Sequence, residues 1–245
     1  SQASSPSCKN WAARAYLYIS EFAIVNDGNK PLARHYASMS AALSTDELQM
    51  SRAEYVLITS SDSRTQALVS ATRLQLQLED MMQRTRKNFD VGQARRLHVN
   101  VLNFKGSDLA LDGQYRMASQ TLRTALTTCQ SLPDTGSRHF TCSRILHNLG
   151  KTKLYEGSCQ EARDYIMEAL NLRIGSQPPA LSTLYYKGKM EERCESKSMA
   201  LQTLTSAMSM CIEAYEASHD FCVMLGQTIS SCCTDSVSSV RPSQG

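Results

Sequence analysis

One spacing constrains this chain more than any other feature. Leu102, Gly106, Ala118, Leu122 and Ala125 are followed by Leu146, Gly150, Ala162, Ile166 and Ala169, and then by Leu184, Gly188, Ala200, Leu204 and Ala207. In all three sets the first Ala stands twelve residues after the Gly, and the second Ala seven residues after the first. Such separations suit two helices that cross closely, with Gly and Ala at the contact and Leu or Ile filling the space between. A repeated unit of this kind cannot bury its apolar face alone, so neighbouring units stack. The turns repeat as well: Asp112-Gly113-x-Tyr115-x-x-Ala118 and Glu156-Gly157-x-Cys159-x-x-Ala162 each put a Gly where a left-handed helix cap falls.

The remainder also reads as helix. Apolar residues at spacings of three and four predict helices over 11–25, 31–43, 47–58 and 63–84. Breaks fall at Asp27-Gly28, Ser60-Ser61-Asp62 and Gln177-Pro178-Pro179. With only six Pro and eleven Gly among 245 residues, helix formers dominate and no strand pairs remain to build a sheet, so the fold class is all-α. An apolar share of 42% separates the chain from disordered sequences. Residues 1–7 and 235–245 lack apolar periodicity and are expected to be flexible tails. No run approaches the roughly 20 apolar residues that span a bilayer, so no direct membrane insertion is expected. Because the chain starts Ser1-Gln2-Ala3-Ser4, trimming of a longer precursor is expected.

The Leu146-x-x-Leu149-Gly150 pattern with Ala162, Ile166 and Ala169 resembles the tetratricopeptide repeat family. The likeness covers residues 98–212, with two degenerate repeats around Ala33 and Ala67 upstream, within 8–97. It departs from the family at Leu for the leading Trp, at Lys153 for an aromatic, and in lacking a closing Pro. Ala33, Ala67, Ala118, Ala162 and Ala200 are 34, 51, 44 and 38 residues apart, and units this long are similar to the kinesin-light-chain type. The resemblance implies one domain over 8–234: a right-handed superhelical stack of about five antiparallel hairpins, closed by a capping helix over 213–234. It also implies a protein- or peptide-binding scaffold rather than an enzyme, with no cofactor.

In such a stack the first helix of each hairpin lines a concave groove. Counting from the packing Gly, its candidates here are Asn100, Asn103 and Ser107, then Arg144, His147, Asn148 and Lys151, then Tyr185 and Lys189. Asn can hydrogen-bond an extended backbone, whereas Arg and Lys favour carboxylates. Family members clamp a C-terminal carboxylate with similar residues, which implies an acidic or C-terminal peptide as partner. The alternative is a structural subunit of an envelope or secretion assembly that binds through its convex face or its ends. Exposed apolar surface beside Trp11, or near Met224 and Leu225, would favour that alternative.

Nine cysteines punctuate the repeats. Cys129 and Cys211 each lie eleven residues after the first Ala of a repeat, and each is followed across a linker by another, Cys142 and Cys222. Neighbouring antiparallel helices bring such positions to disulfide distance, so Cys129–Cys142 and Cys211–Cys222 are predicted, with Cys159–Cys194 in equivalent turns as a third pair. Cys8, Cys232 and Cys233 remain. Disulfides imply an extracytoplasmic setting; reduced core cysteines would imply the cytoplasm. No C-x-x-C occurs, so no metal site is expected. Nucleotide-binding and hydrolase motifs are also absent. The densest basic stretch, Arg84 to His98, has few aromatics among its cations and the net charge is only +3, so no nucleic-acid partner is expected.

Overall fold

The computed structural model describes residues 6–25, 28–84, 90–173, 181–215 and 217–237. Among these are eleven helices and no strand: α1 (Pro6–Val25), α2 (Lys30–Leu43), α3 (Glu47–Thr59), α4 (Arg64–Gln83), α5 (Val91–Leu111), α6 (Tyr115–Gln130), α7 (Gly136–Glu156), α8 (Cys159–Asn171), α9 (Leu181–Cys194), α10 (Lys197–Ala214) and α11 (Asp220–Val237). Six of them start where the sequence offers an acceptor for their first free N–H groups. Asn29, Asp46, Ser63, Asp90, Thr135 and Ser196 each cap the helix that follows through the side chain. Two hairpin turns use left-handed Gly113 and Gly157, at φ 77° and 90°. There the next amide reaches back to Leu109 and Lys153 at 2.9 Å, closing the helix end.

Helix starts at Pro6, inside the expected N-terminal tail, because Pro suits a first helical turn. The last helix spans Asp220–Val237, later than the cap expected over 213–234. The remaining tail residues and the Gln177-Pro178-Pro179 break lie outside the described residues, as does Asp27.

The helices form two compact units, Ser1–Leu132 and Pro133–Gly245. In the first, consecutive helices α1 to α6 pack on one another and α3 also packs on α1 and α5. In the second, α7 to α11 do the same and α9 also packs on α7. The predicted close crossings are present inside each unit. A methyl group built on Gly106 would stand 2.5 Å from Leu122 Cγ, one on Gly150 2.6 Å from Ile166 Cγ1, and one on Gly188 2.6 Å from Leu204. All three contacts join a Gly to the Leu or Ile sixteen residues later. Ala118, Ala125, Ala162, Ala169, Ala200 and Ala207 are fully buried beside them.

The first hairpin uses a different set of small residues. Ala13, Ser20 and Ala23 on α1 face Ala33, Ala37 and Ser40 on α2, each 1% exposed or less. Ser40 Oγ donates to the Ala13 carbonyl at 2.8 Å, across the helix pair. Close approach is thus achieved with Ala and Ser, and the Gly register is not kept. Lys153, at the place of the family's aromatic, buries its stem and pairs with Glu156 at 2.7 Å and Glu161 at 3.3 Å. Burial opposes its charge, but the two carboxylates outweigh that and raise its pKa.

Two disulfides lie within the second unit, Cys159–Cys194 and Cys211–Cys222, both with Cα atoms 5.8 Å apart. The first ties the start of α8 to the end of α9; the second joins α10 to α11. Cys129, in α6, and Cys142, in α7, are buried and are not free thiols. They fall on either side of the boundary between the units. Cys8, Cys232 and Cys233 belong to neither bond.

Two stability predictions follow from this packing. Gly150→Ala should lower unfolding free energy by roughly 1–2 kcal/mol, because the overpacking cost exceeds the gain in helix propensity. Gly136→Ala, where the added methyl meets nothing, should stay within about 0.5 kcal/mol of the parent in the same urea titration. Loops of 35 and 11 residues predict losses of about 3.8 and about 2.8 kcal/mol for the Cys159/Cys194 and Cys211/Cys222 double Ser variants. Equal losses for the two pairs would contradict the loop-length ordering.

Candidate binding surface on the second unit

Arg144, His147, Asn148 and Lys151 follow one another on α7 at steps of three, one and three residues, so they share one side of the helix. Arg144 is exposed and the other three are half-buried. Helix α9 brings Thr183, Tyr185, Tyr186 and Lys189 beside them, through the α7–α9 packing. His147 Nδ1 lies 3.1 Å from Thr183 Oγ1, and its ring meets Tyr186 edge-on at 5.3 Å.

Tyr186 is the centre of an aromatic cluster. Tyr155 and Tyr185 approach its ring edge-on at 6.4 and 5.2 Å, and the Tyr155 and Tyr186 hydroxyls are 3.2 Å apart. Burial, reinforced by the Tyr155 hydrogen bond, raises the pKa of the Tyr186 hydroxyl. The Lys151 ammonium sits 5.3 Å from the Tyr186 ring centre and 5.9 Å from that of Tyr155. These cation–π contacts place the charge and leave its hydrogen-bond donors open. Among the described residues, no carboxylate pairs with Lys151 or Arg144.

Positive charge accumulates around the imidazole. Burial lowers the His147 pKa to about 4, and Lys151, Arg173 and Arg144 push it the same way. His147 is therefore neutral at pH 7 and has one ring N–H to donate. Arg173 lies over the Phe140 ring at 4.6 Å; burial, and then Arg144, lower its pKa. A site built this way favours an anion, offering charge, a neutral donor and partial exclusion of water.

Next to the cations a cleft of about 340 Å³ opens between Tyr155, Tyr185, Tyr186, Leu154, Lys189 and Glu192. Lys189 is less available than the other lysine: its ammonium pairs with Glu192 at 2.6 Å. Glu192 also accepts from Cys232 Sγ at 3.0 Å. Burial and the neighbouring carboxylate push the Cys232 pKa up to about 11.

The structure puts the remaining sequence candidates in the first unit, on α5. Asn103 is buried there, and Asn100 and Ser107 are half-buried. The Asn100 carbonyl accepts from the Tyr55 hydroxyl at 3.4 Å. A cleft of about 320 Å³ in this unit is lined by Arg14, Tyr18, Asp46, Gln49, Arg52 and Asp90. Its carboxylates cap α3 and α5, and Arg52 pairs with Glu21 at 2.8 Å, so much of its polarity serves the fold. In the basic stretch Arg84 pairs with Asp80, and buried His98 lies 3.1 Å from Glu79. Arg86 and Lys87 are outside the described residues.

Tyr155, Tyr186, Phe140 and Arg173 were not among the sequence candidates. Tyr186 had a legible signal: it stands two residues before Gly188, as Asn148 does before Gly150, on the same polar side. An aromatic there reads as core. Arg173 had none, since it follows the last turn of α8.

No protein-family model matches the chain, and no curated protein matches it. Among solved structures the chain is similar to BtubC (BKLC) from P. vanneervenii, with 14% sequence identity, a TM-score of 0.47, and coverage of 99% of this chain and 96% of that one.

Proposed function

We propose that this chain is a helical-repeat binding module of the tetratricopeptide type, similar to the long-repeat kinesin-light-chain variety, which captures an acidic peptide segment on the α7/α9 face. The observation that carries this reading is the pair Arg144 and Lys151, without carboxylate partners among the described residues and set beside neutral His147 and a tyrosine-lined cleft. Elsewhere in the second unit Lys153, Lys187 and Arg163 are paired with Glu156, Glu191 and Glu195. Two cations left open together are what an acidic side chain or a terminal carboxylate needs. An apolar or aromatic neighbour in the peptide would enter the cleft between Tyr155 and Tyr185. The disulfides support an oxidising, extracytoplasmic setting for this binding. None of the described helices is long and apolar enough to cross a membrane.

The test is a fluorescence-anisotropy screen of labelled heptapeptides with Asp or Glu next to Phe, Tyr or Leu, in free-acid and C-terminal amide forms. For peptides that bind, Arg144→Ala/Lys151→Ala should weaken affinity at least tenfold, about 1.4 kcal/mol, with unchanged helicity. Equal affinity in parent and variant would reject this face as the site.

A pH dependence with a definite sign accompanies the same reading. A bound carboxylate favours imidazolium, so it raises the His147 pKa from about 4, and binding takes up a proton. Affinity should therefore rise as pH falls from 7.5 to about 5.5, where peptide carboxylates are still ionised. In the free protein the sign for stability is opposite. The depressed His147 pKa makes the unfolded state bind more protons, so stability is lost as pH falls from about 6.5 towards 4. His147→Gln should flatten both profiles, read by anisotropy and by urea midpoints across pH.

A further inference from the structure

The first helix of the first unit carries an unpartnered stripe that the acidic-peptide reading does not use. Trp11, Ala15, Tyr18 and Phe22 fall at steps of four, three and four residues, one side of a helix. Trp11 is 71% exposed, Tyr18 65% and Phe22 60%, with Ile19 at the flank 41%. The opposite side of α1, with Ala13, Leu17, Ser20 and Ala23, is the one buried in the unit. Taking aromatic side chains at 150–250 Å² each, the stripe exposes roughly 300–500 Å² of largely apolar surface. That is the size of the largest apolar patch a monomer normally leaves in contact with water, and such patches often serve a function.

We propose that this stripe is a self-association face, on which α1 of a second copy packs antiparallel. Three features of this surface point to a second copy as the occupant. The stripe itself is uncharged, with Arg14 at its rim, so an identical stripe meets no like charge at the centre of the contact. Paired antiparallel about a crossing point between Tyr16 and Leu17, the stripe is self-complementary in size. Trp11 then lies opposite Phe22 of the other copy, and small Ala15 lies opposite bulky Tyr18, the alternation that lets side chains interdigitate. The area, with the Arg14 stem and Ile19 at the rim, is about half to two-thirds of the roughly 800 Å² per partner of a standard interface, which suits a concentration-dependent dimer. Arg14, whose guanidinium is 5.8 Å from the Trp11 ring centre, keeps its charge at the edge of such a contact. A two-fold axis closes the contact at two chains.

Trp11 is the only Trp in the chain, so its emission reports this face directly. Sedimentation velocity and Trp fluorescence would be followed together from sub-micromolar to near-millimolar concentration, with accessible thiols alkylated so that disulfide cross-links do not contribute. The expected result is a mass rising from one chain to two, with a blue shift of Trp11 emission over the same concentration range. Tyr18→Glu/Phe22→Glu should shift the midpoint at least tenfold upward. Ala15→Arg, a single change at an exposed position, should do the same and serves if the double variant loses helicity. A chain that stays single throughout, or that doubles without any Trp11 shift, overturns the proposal. So does a parent-like midpoint in a folded Ala15→Arg variant.

Discussion

At Gly106, Gly150 and Gly188 there is no room for a methyl group, and that close approach sets the distance between paired helices on which the surrounding packing depends. With the backbones this near, Leu122, Ile166 and Leu204 lie against the opposite helix itself, each fully buried. The two Ala of each repeat keep the rest of the crossing equally tight. A hairpin so closed buries one side of each helix and leaves the other sides to neighbours, so packing propagates from α5 to α6 and from α7 through α11. On the first helix of a pair, the positions just before and after the Gly are then held at a defined height beside the next first helix. This is how His147 and Lys151 come to face Thr183 and Tyr186.

Legibility in the sequence follows from the same constraint. Where the contact needs a residue with no side chain, only one letter serves, so the three Gly-based repeats could be read and the turns at Gly113 and Gly157 came with them. Where Ala and Ser make the contact, as in α1 and α2, many sequences would do equally well, and the repeat looks degenerate although the packing is as tight. Helix starts were legible because caps such as Asp46, Ser63 and Asp90 are chemically specific. The surface was less so. Periodicity places Arg144 and Lys151 on one side of α7, but whether a charge is free depends on which carboxylate lies across a helix boundary. Lys189 has Glu192 within reach and Lys151 has tyrosine rings instead, a fact about side-chain packing rather than spacing.

That allocation of partners separates the proposed binding face from an ordinary charged surface. Lys153 is buried and held by two carboxylates, Lys187 reaches Glu191 and Thr203, and Arg163 reaches Glu195. Arg193 donates to the Leu154 carbonyl at 2.9 Å, close to where α7 ends. These cations link α7 to the start of α8 and to α9, α8 to the residue after α9, and α9 to α10. Each holds register between helices, and for Lys153, the most buried of them, an ammonium stripped of its carboxylates would be strongly unfavourable. Lys151 is positioned instead by tyrosine rings, which fix a cation without neutralising it.

Cys159–Cys194 adds a covalent limit to the same arrangement. It joins the first residue of α8 to the last residue of α9, near the Leu154 and Arg193 edge of the tyrosine-lined cleft. Helix α8 is already fixed to α7 through Gly150 and Ile166, so the bond prevents α9 from sliding along α7. A shift of one helical turn would carry Tyr186 about 5 Å from Lys151 and His147, separating the aromatic cluster from the cations. The disulfide thus acts on the surface indirectly, by holding two rows of side chains at one register. A reduced chain could retain its helices and still lose that alignment, which ties the redox state to the proposed binding face as much as to stability.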